Sequence, residues 1–404
     1  MQIHLLCNVP LQAEAQVVVP EPSPLALQYY RSGNVLWVIG SVLGFLIPAL
    51  FLFTGLSARL RNLAQRIGRR WFFTLVIYAL LFTVCYGLMT LPLAYYADFV
   101  RQHAYGLSNQ TFGRWLGEWL KGVAVSGVGL GLVLWIPYLL LRRSPRRWWL
   151  YAGLATIPIA TFLLVITPVW VDPLFNEFGP MKDRALEARI LAEAQRAGIP
   201  GSRVFEVRKS VDTKTVNAYV TGVGATKRIV LWDTILAKLD QDQILFVMAH
   251  EMGHFVLHHV LTIIVVITLL VTVSLYLVHR VAGKLMAPFS SRFGFDRLSD
   301  VASLPLLVLL GTLVSFVLTP ALLALSRYQE HEADRFALEL TRKNHAGATT
   351  FVRLQEENLS IPRPGRLYMF WRGSHPSLGE RVDFANSYRP WAAGKPLRYG
   401  HLFH

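Results

Sequence analysis

The chain has 404 residues, of which 53% are hydrophobic and only 16% charged, and its mean hydropathy is +0.39. This composition excludes an ordinary soluble enzyme and is typical of a polytopic membrane protein. The formal net charge of +15 suits anionic lipid headgroups, and because no module of basic and aromatic residues accompanies it, we expect membrane lipids rather than nucleic acid as partners.

The first 33 residues form a tail without a run able to span a membrane. Within it, Ala13-Glu14-Ala15 has the small-x-small form of a signal-peptidase site, but the apolar stretch before it is short and lacks a basic region. The tail is therefore either the remnant of a signal peptide that begins upstream or an irregular segment. Cys7 in the tail and Cys85 indicate neither a disulfide framework nor a cysteine metal site.

Six apolar runs are long enough to cross the hydrocarbon layer, and tryptophan and tyrosine lie near several of their ends. They occupy residues 34–56, 71–97, 122–141, 148–170, 260–278 and 301–325. We therefore predict a mainly α fold, a polytopic membrane helix barrel or bundle of about six spans.

Arginines cluster in the two short loops that follow the first and third runs. Positive-inside logic makes this side cytoplasmic, which places the segment after the fourth run and the C-terminal region on the extracytoplasmic side. The arginines are Arg59, Arg61, Arg66, Arg69 and Arg70 in one loop and Arg142, Arg143, Arg146 and Arg147 in the other.

A polar segment between the fourth and fifth runs is long enough for a small α+β unit. The spacing of apolar residues predicts a helix over 182–197, ended by Gly198 and Pro200. Three stretches alternate or run apolar like short strands, with Gly222 and Gly224 turning between the last two. These predicted strands are 203–207, 215–220 and 228–232.

The motif His250-Glu251-Met252-Gly253-His254 follows apolar residues at helical spacing. On a helix the two histidines lie one turn apart on one face and can converge on one cation, while Glu251 lies beside the ion without binding it. This arrangement predicts a zinc hydrolase, in which the glutamate takes a proton from zinc-activated water. The alternative is a chance match, because the three residue types are common. His258 and His259 are expected to line a chamber, since one helix cannot aim three successive turns at one ion.

The third zinc ligand is sought downstream, where Glu330 and Asp334 lie four residues apart on one helical face and Glu332 points elsewhere. Glu330 could bind the ion, and Asp334 could accept a hydrogen bond from a ligating histidine. The alternative for this segment is a solvated helix of mixed charge. His331 is assigned a packing or supporting role.

Together the two segments resemble the gluzincin membrane proteases typified by the type I CAAX prenyl proteases, and the chain looks like a bacterial member. The resemblance spans roughly residues 35–389 in order. Further similar segments are residues 95–111, Asp172-Pro-Leu-Phe-Asn, Val216-Asn-Ala-Tyr-Val-Thr-Gly, Arg228-Ile-Val-Leu-Trp-Asp-Thr and Ser374-His-Pro-Ser.

The resemblance implies a helix barrel around a chamber, with a small α+β gluzincin catalytic domain. It implies one zinc ion per chain, held by His250, His254 and Glu330. It favours substrate binding over a plain hairpin at Asn217-Ala218-Tyr219, where an edge strand would hold a peptide by main-chain hydrogen bonds. It also implies that His375 stabilises the oxyanion.

We accordingly expect a membrane-embedded zinc endopeptidase that resembles enzymes removing C-terminal tripeptides from prenylated proteins, with peptide or protein substrates that can be lipidated. The alternatives are a broad membrane quality-control metalloprotease and, from another class, a transporter or scaffold with a structural metal site. The expected location is a bacterial inner membrane. Loop charges favour an extracytoplasmic catalytic domain, and analogy with the eukaryotic family members favours a cytoplasmic one.

These assignments divide the chain into five parts. They are the tail (1–33), four transmembrane helices (34–170), an extramembrane α+β segment with the zinc-binding helix (171–259), two transmembrane helices (260–326) and a third-ligand helix with the C-terminal region (327–404).

Overall fold

The computed structural model of the chain describes residues 15–201, 203–222 and 228–404. Within these ranges six helical segments are long and apolar enough to cross a membrane, which confirms the predicted number of spans. They are Pro24–Phe53, Trp71–Ala104, Phe112–Arg143, Trp148–Phe175, His259–Phe293 and Val301–Thr341. Several extend beyond the apolar runs because a helix can continue into the polar layers outside the hydrocarbon.

The first span begins ten residues earlier than predicted, so residues 24–33 are helical and do not belong to an irregular tail. Ser23 caps this helix by accepting a hydrogen bond from the Ala26 backbone, and Pro24 occupies its first turn, where a missing N–H is tolerated. Upstream, the Val17 backbone exchanges hydrogen bonds with the Asn386 side chain at 3.1 and 2.8 Å. Residues 1–14, with Cys7 and most of the small-x-small site, lie outside the described residues.

The first four spans, together with α2 between the first two, comprise eight α-helices and two π-helical turns. Each π turn lies at or close after a proline, Pro92 or Pro168, whose missing N–H removes one backbone hydrogen bond from the ladder. The helices are α1 (Pro24–Phe53), α2 (Leu56–Gly68), α3 (Trp71–Ala94), α4 (Arg101–Ala104), α5 (Phe112–Arg143), α6 (Trp148–Leu154), α7 (Thr156–Ile166) and α8 (Asp172–Phe175).

After the fourth span the chain forms a four-stranded sheet in the order β1-β2-β4-β3, in which only β2 and β4 are parallel. Two strands and the first helix match the predictions closely, the strand predicted at 215–220 begins later, and β1 is too short to show an alternating pattern. Gly222 has a φ of 83°, as a turn glycine allows, whereas Gly224 lies outside the described ranges. The elements are β1 (Phe178–Pro180), α9 (Arg184–Arg196), β2 (Arg203–Val207), β3 (Ala218–Thr221), β4 (Arg228–Trp232), α10 (Asp233–Lys238) and α11 (Gln241–Val256).

The remaining helices are α12 (His259–Met286), α13 (Ser290–Phe293), α14 (Leu304–Thr341), α15 (Asn344–Glu357), α16 (Arg366–Trp371) and α17 (Leu378–Ser387). The last span and the predicted third-ligand helix are thus one continuous helix, α14. One hydrophobic core joins the sheet, α9 and α11 to the end of α14 and to α15 and α17, with Met248, Phe336 and Phe351 among its buried residues. This core fixes α11 against α14 and so positions the candidate site.

Candidate active site

Three side chains from two helices converge at one point. A capping box between Asp240 and Gln243 starts α11, and its third and fourth turns present His250 and His254 on one face. Glu330 enters from α14. The two Nε2 atoms lie 3.1 Å apart, and the Glu330 carboxylate lies 3.2 Å from His250 Nε2 and 3.3 Å from His254 Nε2. Their potential ligand atoms all lie within 4.8 Å of one another.

This donor set fits a zinc ion. Two ligands at the usual zinc distances in a tetrahedron are about 3.3 Å apart, which matches the observed separations. The Glu330 Oε2 atom is buried and has no hydrogen-bond partner among the described residues, which leaves it available as a ligand atom. Two imidazoles and a carboxylate that face one another in this way leave room for a fourth position, as catalytic zinc sites do.

The second nitrogen of each imidazole also has a partner. Asp334 Oδ1 lies 2.9 Å from His250 Nδ1, where a carboxylate fixes the tautomer and orientation of the ring. His259 Nδ1 lies 2.9 Å from His254 Nδ1. The expectation that His259 lines a chamber is therefore wrong, because His259 is buried against the site. The α11 helix ends at Val256, and His258 has a positive φ of 56°, which changes the direction of the chain before α12 begins at His259. His258 itself is exposed.

Arg381, on α17, was missed by the sequence analysis. Its Nε donates to Asp334 Oδ2 at 2.8 Å and its Nη2 to Asp334 Oδ1 at 2.6 Å, a bidentate pair. Its Nη2 also lies 3.7 Å from Glu330 Oε2. The available signal was the sequence Ser377-Leu-Gly-Glu380, whose capping box starts α17 and places Arg381 in the first turn.

The electrostatics of the site favour a cation. Burial lowers the pKa of the His250 imidazole, but the carboxylates of Asp334 and Glu330 outweigh this and raise that pKa to about 10. A bound dication would supply positive charge beside the same two carboxylates. Burial also raises the pKa of the Glu251 carboxyl above its ordinary value, which makes its carboxylate a stronger base.

Two further histidines lie near these residues. His375 Nε2 is 3.3 Å from Glu330 Oε1, and its Nδ1 is 2.8 Å from Ser374 Oγ, so the structure brings this predicted residue to the cluster. His331 packs against the Phe384 ring at 4.3 Å and lies 3.2 Å from Arg335 Nη2, contacts that suit a packing role.

The predicted substrate strand is an edge strand among the described residues, where β3 pairs with β4 on one side and has no strand on the other. The Asn217 carbonyl accepts a hydrogen bond from the Trp232 backbone at 3.2 Å. Because hydrogen-bonded positions alternate in an antiparallel pair, the backbone groups of Ala218 point to the free edge. The Ala218 N–H there donates to the Asn217 side chain at 2.8 Å. The next residue, Tyr219, pairs with Val230 of β4.

A cavity of about 700 Å³ lies beside the site, and His375 and Arg381 are among its lining residues. Residues of α1 and α16 line other parts of it. A space of this size can hold a short peptide segment.

Two family models match the chain. The family model for peptidase family M48 matches residues 180–389, and the model for the CAAX prenyl protease N-terminal region, described as five membrane helices, matches residues 12–177. Within residues 15–177 the structure describes four helices able to span.

Among the relatives, an uncharacterized metalloprotease of Bacillus subtilis, YhfN, is 38% identical and covers 90% of this chain and 86% of its own. The CAAX prenyl protease 1 homolog of Dictyostelium discoideum is 29% identical over 90% of this chain and 84% of its own. A crystal structure of S. mikatae Ste24p superposes with a TM-score of 0.78 at 24% identity, covering 89% of this chain and 87% of that one, which confirms the predicted fold. The chain therefore belongs to peptidase family M48 and is a membrane zinc metalloprotease of the CAAX prenyl protease type.

Proposed function

We propose that His250, His254 and Glu330 hold the single catalytic zinc ion of this chain and that Glu251 is its general base. The observation that carries the proposal is the convergence of the three ligand side chains at tetrahedral spacing, with one further position free. A structural site would need a fourth protein ligand, and it would not need a glutamate beside the ion. The alternative of a transporter or scaffold does not account for that glutamate.

Zinc, when bound here, supplies a Lewis acid that polarises the scissile carbonyl and acidifies water. The Glu251 carboxylate accepts the proton of the attacking water and then donates it to the leaving amine. Its raised pKa suits both steps, because the same group must act as a base and then as an acid at neutral pH.

His375 is proposed as a donor to the oxyanion that forms during attack. It lies beside the Glu330 carboxylate and faces the cavity, so its Nε2–H can donate to a carbonyl oxygen bound there. Asp334 is proposed to orient His250, and Arg381 in turn holds Asp334 through the bidentate pair.

The edge of β3 is proposed as the place where the peptide substrate binds. The outward backbone groups of Ala218 offer main-chain hydrogen bonds, and the small side chain lets another strand approach. Asn217 competes for the Ala218 N–H in the present structure, so substrate binding would displace that side chain.

The test of the catalytic assignment is the Glu251→Gln substitution in the full-length, detergent-purified protein. We expect one zinc ion per chain in wild type and variant alike, and a loss of peptide cleavage of at least about 100-fold in the variant. Glu356→Gln is the matched control, because Glu356 is exposed and pairs with Arg353 at the surface, away from the candidate site. Undiminished cleavage by the Glu251 variant would refute the assignment.

For the substrate we propose proteins with a lipidated C-terminal CAAX sequence, because relatives that match 90% and 73% of this chain are named CAAX prenyl proteases. A farnesylated CAAX peptide and the same peptide without the lipid distinguish this from broad membrane proteolysis. Glu251-dependent release of the tripeptide only from the lipidated peptide supports the proposal. Equal cleavage of both peptides would be consistent with the proposed zinc mechanism, but it would refute the CAAX substrate and favour a membrane quality-control protease.

We propose that the chain lies in a bacterial inner membrane with its active site on the extracytoplasmic side. Glu330 lies 26 residues beyond the start of α14, which places it about 40 Å along the helix from the other end of the spans. At that other end the arginine-rich loops pack together: Arg142 lies 5.1 Å from the Trp71 ring, and Arg61 pairs with Asp300. Short arginine-rich loops stay in the cytoplasm.

A reporter at the C-terminus tests the orientation. An alkaline phosphatase fused there should be active and a fluorescent protein should be dark, while fusions truncated after Arg70 should behave in the opposite way. The reverse pattern would place the active site in the cytoplasm.

A further inference from the structure

The 700 Å³ cavity beside the site contains more positive than negative charge. Arg101, Arg372 and Arg381 line it, and Asp98 is the one acidic residue among the described lining residues. The charge of Arg381 is matched by Asp334 in the bidentate pair. The two other arginines, Arg101 and Arg372, therefore face one acidic residue, Asp98, among the described lining residues.

Neither Arg101 nor Arg372 forms an ion pair with any carboxylate in the described ranges, Asp98 included. Arg101 is nevertheless only 7% exposed. Burying a charge without a counter-ion is costly, so such a residue in an enzyme usually has an anionic partner during function.

Neutral groups hold both guanidinium groups in place. Arg101 Nε donates to Ser32 Oγ at 3.0 Å, its Nη2 donates to the Tyr29 carbonyl at 2.6 Å, and its guanidinium lies 3.6 Å from the Tyr29 ring centroid. Arg372 Nη1 donates to the Asn34 side chain, and its guanidinium lies 4.8 Å from the Tyr368 ring centroid. These contacts orient the two cations without cancelling their charge.

The two guanidinium groups meet over Gly33. A Cβ atom on this residue would lie 3.2 Å from Arg101 Nη2 and 3.9 Å from Arg372 Nη2. The two nitrogens are therefore within about 7 Å of each other, a separation at which like charges repel, and an anion bound between them would offset that repulsion. The missing side chain of Gly33 leaves space beside both groups.

We infer that Arg101 and Arg372 bind the C-terminal carboxylate of the peptide that is being cleaved. The inference rests on the proposed peptidase function of the neighbouring site. Arg372 precedes His375 by three residues, so their Cα atoms are at most about 11 Å apart. Three residues of extended peptide span about 10 Å. The pair thus selects bonds close to a free C-terminus, and the product is a short C-terminal peptide.

Three quenched peptides that differ only at the C-terminus test the inference on the full-length zinc enzyme. One ends in a free carboxylate three residues after the scissile bond, one ends in an amide, and one ends in an amidated aspartate. We expect the free acid to be cleaved with a kcat/KM at least about tenfold above that of the amide, as loss of a charged hydrogen-bonded pair implies. The Arg372→Gln substitution should reduce this ratio to about one.

Arg353→Gln is the matched control, because Arg353 is an exposed arginine that pairs with Glu356, and it should leave the ratio unchanged. Equal cleavage of acid and amide by the wild type would overturn the inference. Cleavage of the amidated-aspartate peptide as fast as the free acid would also overturn it, since the site would then recognise acidic side chains.

A binding assay distinguishes a failure of this inference from a failure of the proposed peptidase function. Fluorescence anisotropy on the Glu251→Gln protein should show the free acid bound at least about tenfold more tightly than the amide, and Arg372→Gln added to it should remove the difference. If no peptide is cleaved above background and this preference is present, the peptidase proposal fails and the carboxylate site stands. If cleavage depends on Glu251 and no preference is found, only the carboxylate site fails.

Discussion

Glu193 allows a quantitative prediction about stability. It lies on α9 in the row of buried residues that includes Leu186 and Ile190, and it is 8% exposed. Its Oε2 atom is buried without a hydrogen-bond partner among the described residues. Burial raises the pKa of this carboxyl from 4.5 to about 7, although Arg196 and other nearby cations partly offset the effect.

The sign of the resulting pH dependence follows from proton binding. Between pH 4.5 and 7 the folded state keeps the Glu193 proton and the unfolded state does not, so stability falls as pH rises through this window. The difference between the two pKa values corresponds to about 3 kcal/mol at pH 8. Glu193→Gln resembles the protonated carboxyl and should remove this loss. The variant should therefore match the wild type below pH 4.5 and exceed it at pH 8, by roughly 5 °C in Tm.

The assay is thermal unfolding of the two proteins in the same detergent from pH 4 to 8, and the quantity compared is the difference in Tm at each pH. This difference cancels the contributions of all other titrating groups. Glu187→Gln is the control, because Glu187 lies on the same helix and pairs at the surface with Arg184, and its difference should stay small throughout. A Tm difference for Glu193→Gln that does not grow between pH 4.5 and 7 would refute the reasoning.

The remaining predictions concern the residues behind the metal ligands. Asp334→Asn should lower zinc affinity by about 10–100-fold in a chelator competition, because the ligating ring loses its carboxylate partner, whereas Asp383→Asn at the surface should leave it unchanged. His259→Ala should weaken zinc binding measurably and His258→Ala should not, since only the former contacts a motif histidine. Equal zinc affinities for these two histidine variants would show that the contact has no positioning role.

The sequence by itself determined the features that depend on local geometry. Apolar spacing was enough to predict α11, and a helix necessarily places His250 and His254 on one face. The six spans followed from hydrophobicity, because a run of that length has few other stable environments. The strands β2 and β4 were predicted with their observed bounds, because the alternating or apolar pattern of a strand is also a local feature of the sequence.

Only the tertiary structure decided which distant residues share the site. Arg381 meets Asp334 across 47 residues, and no periodicity in either helix encodes that contact. His259 reaches the site because a single residue with positive φ ends one helix and redirects the next. Arg101 and Arg372 converge over Gly33 from opposite parts of the chain. Packing of the shared core sets these positions, and packing depends on residues that are far apart in sequence.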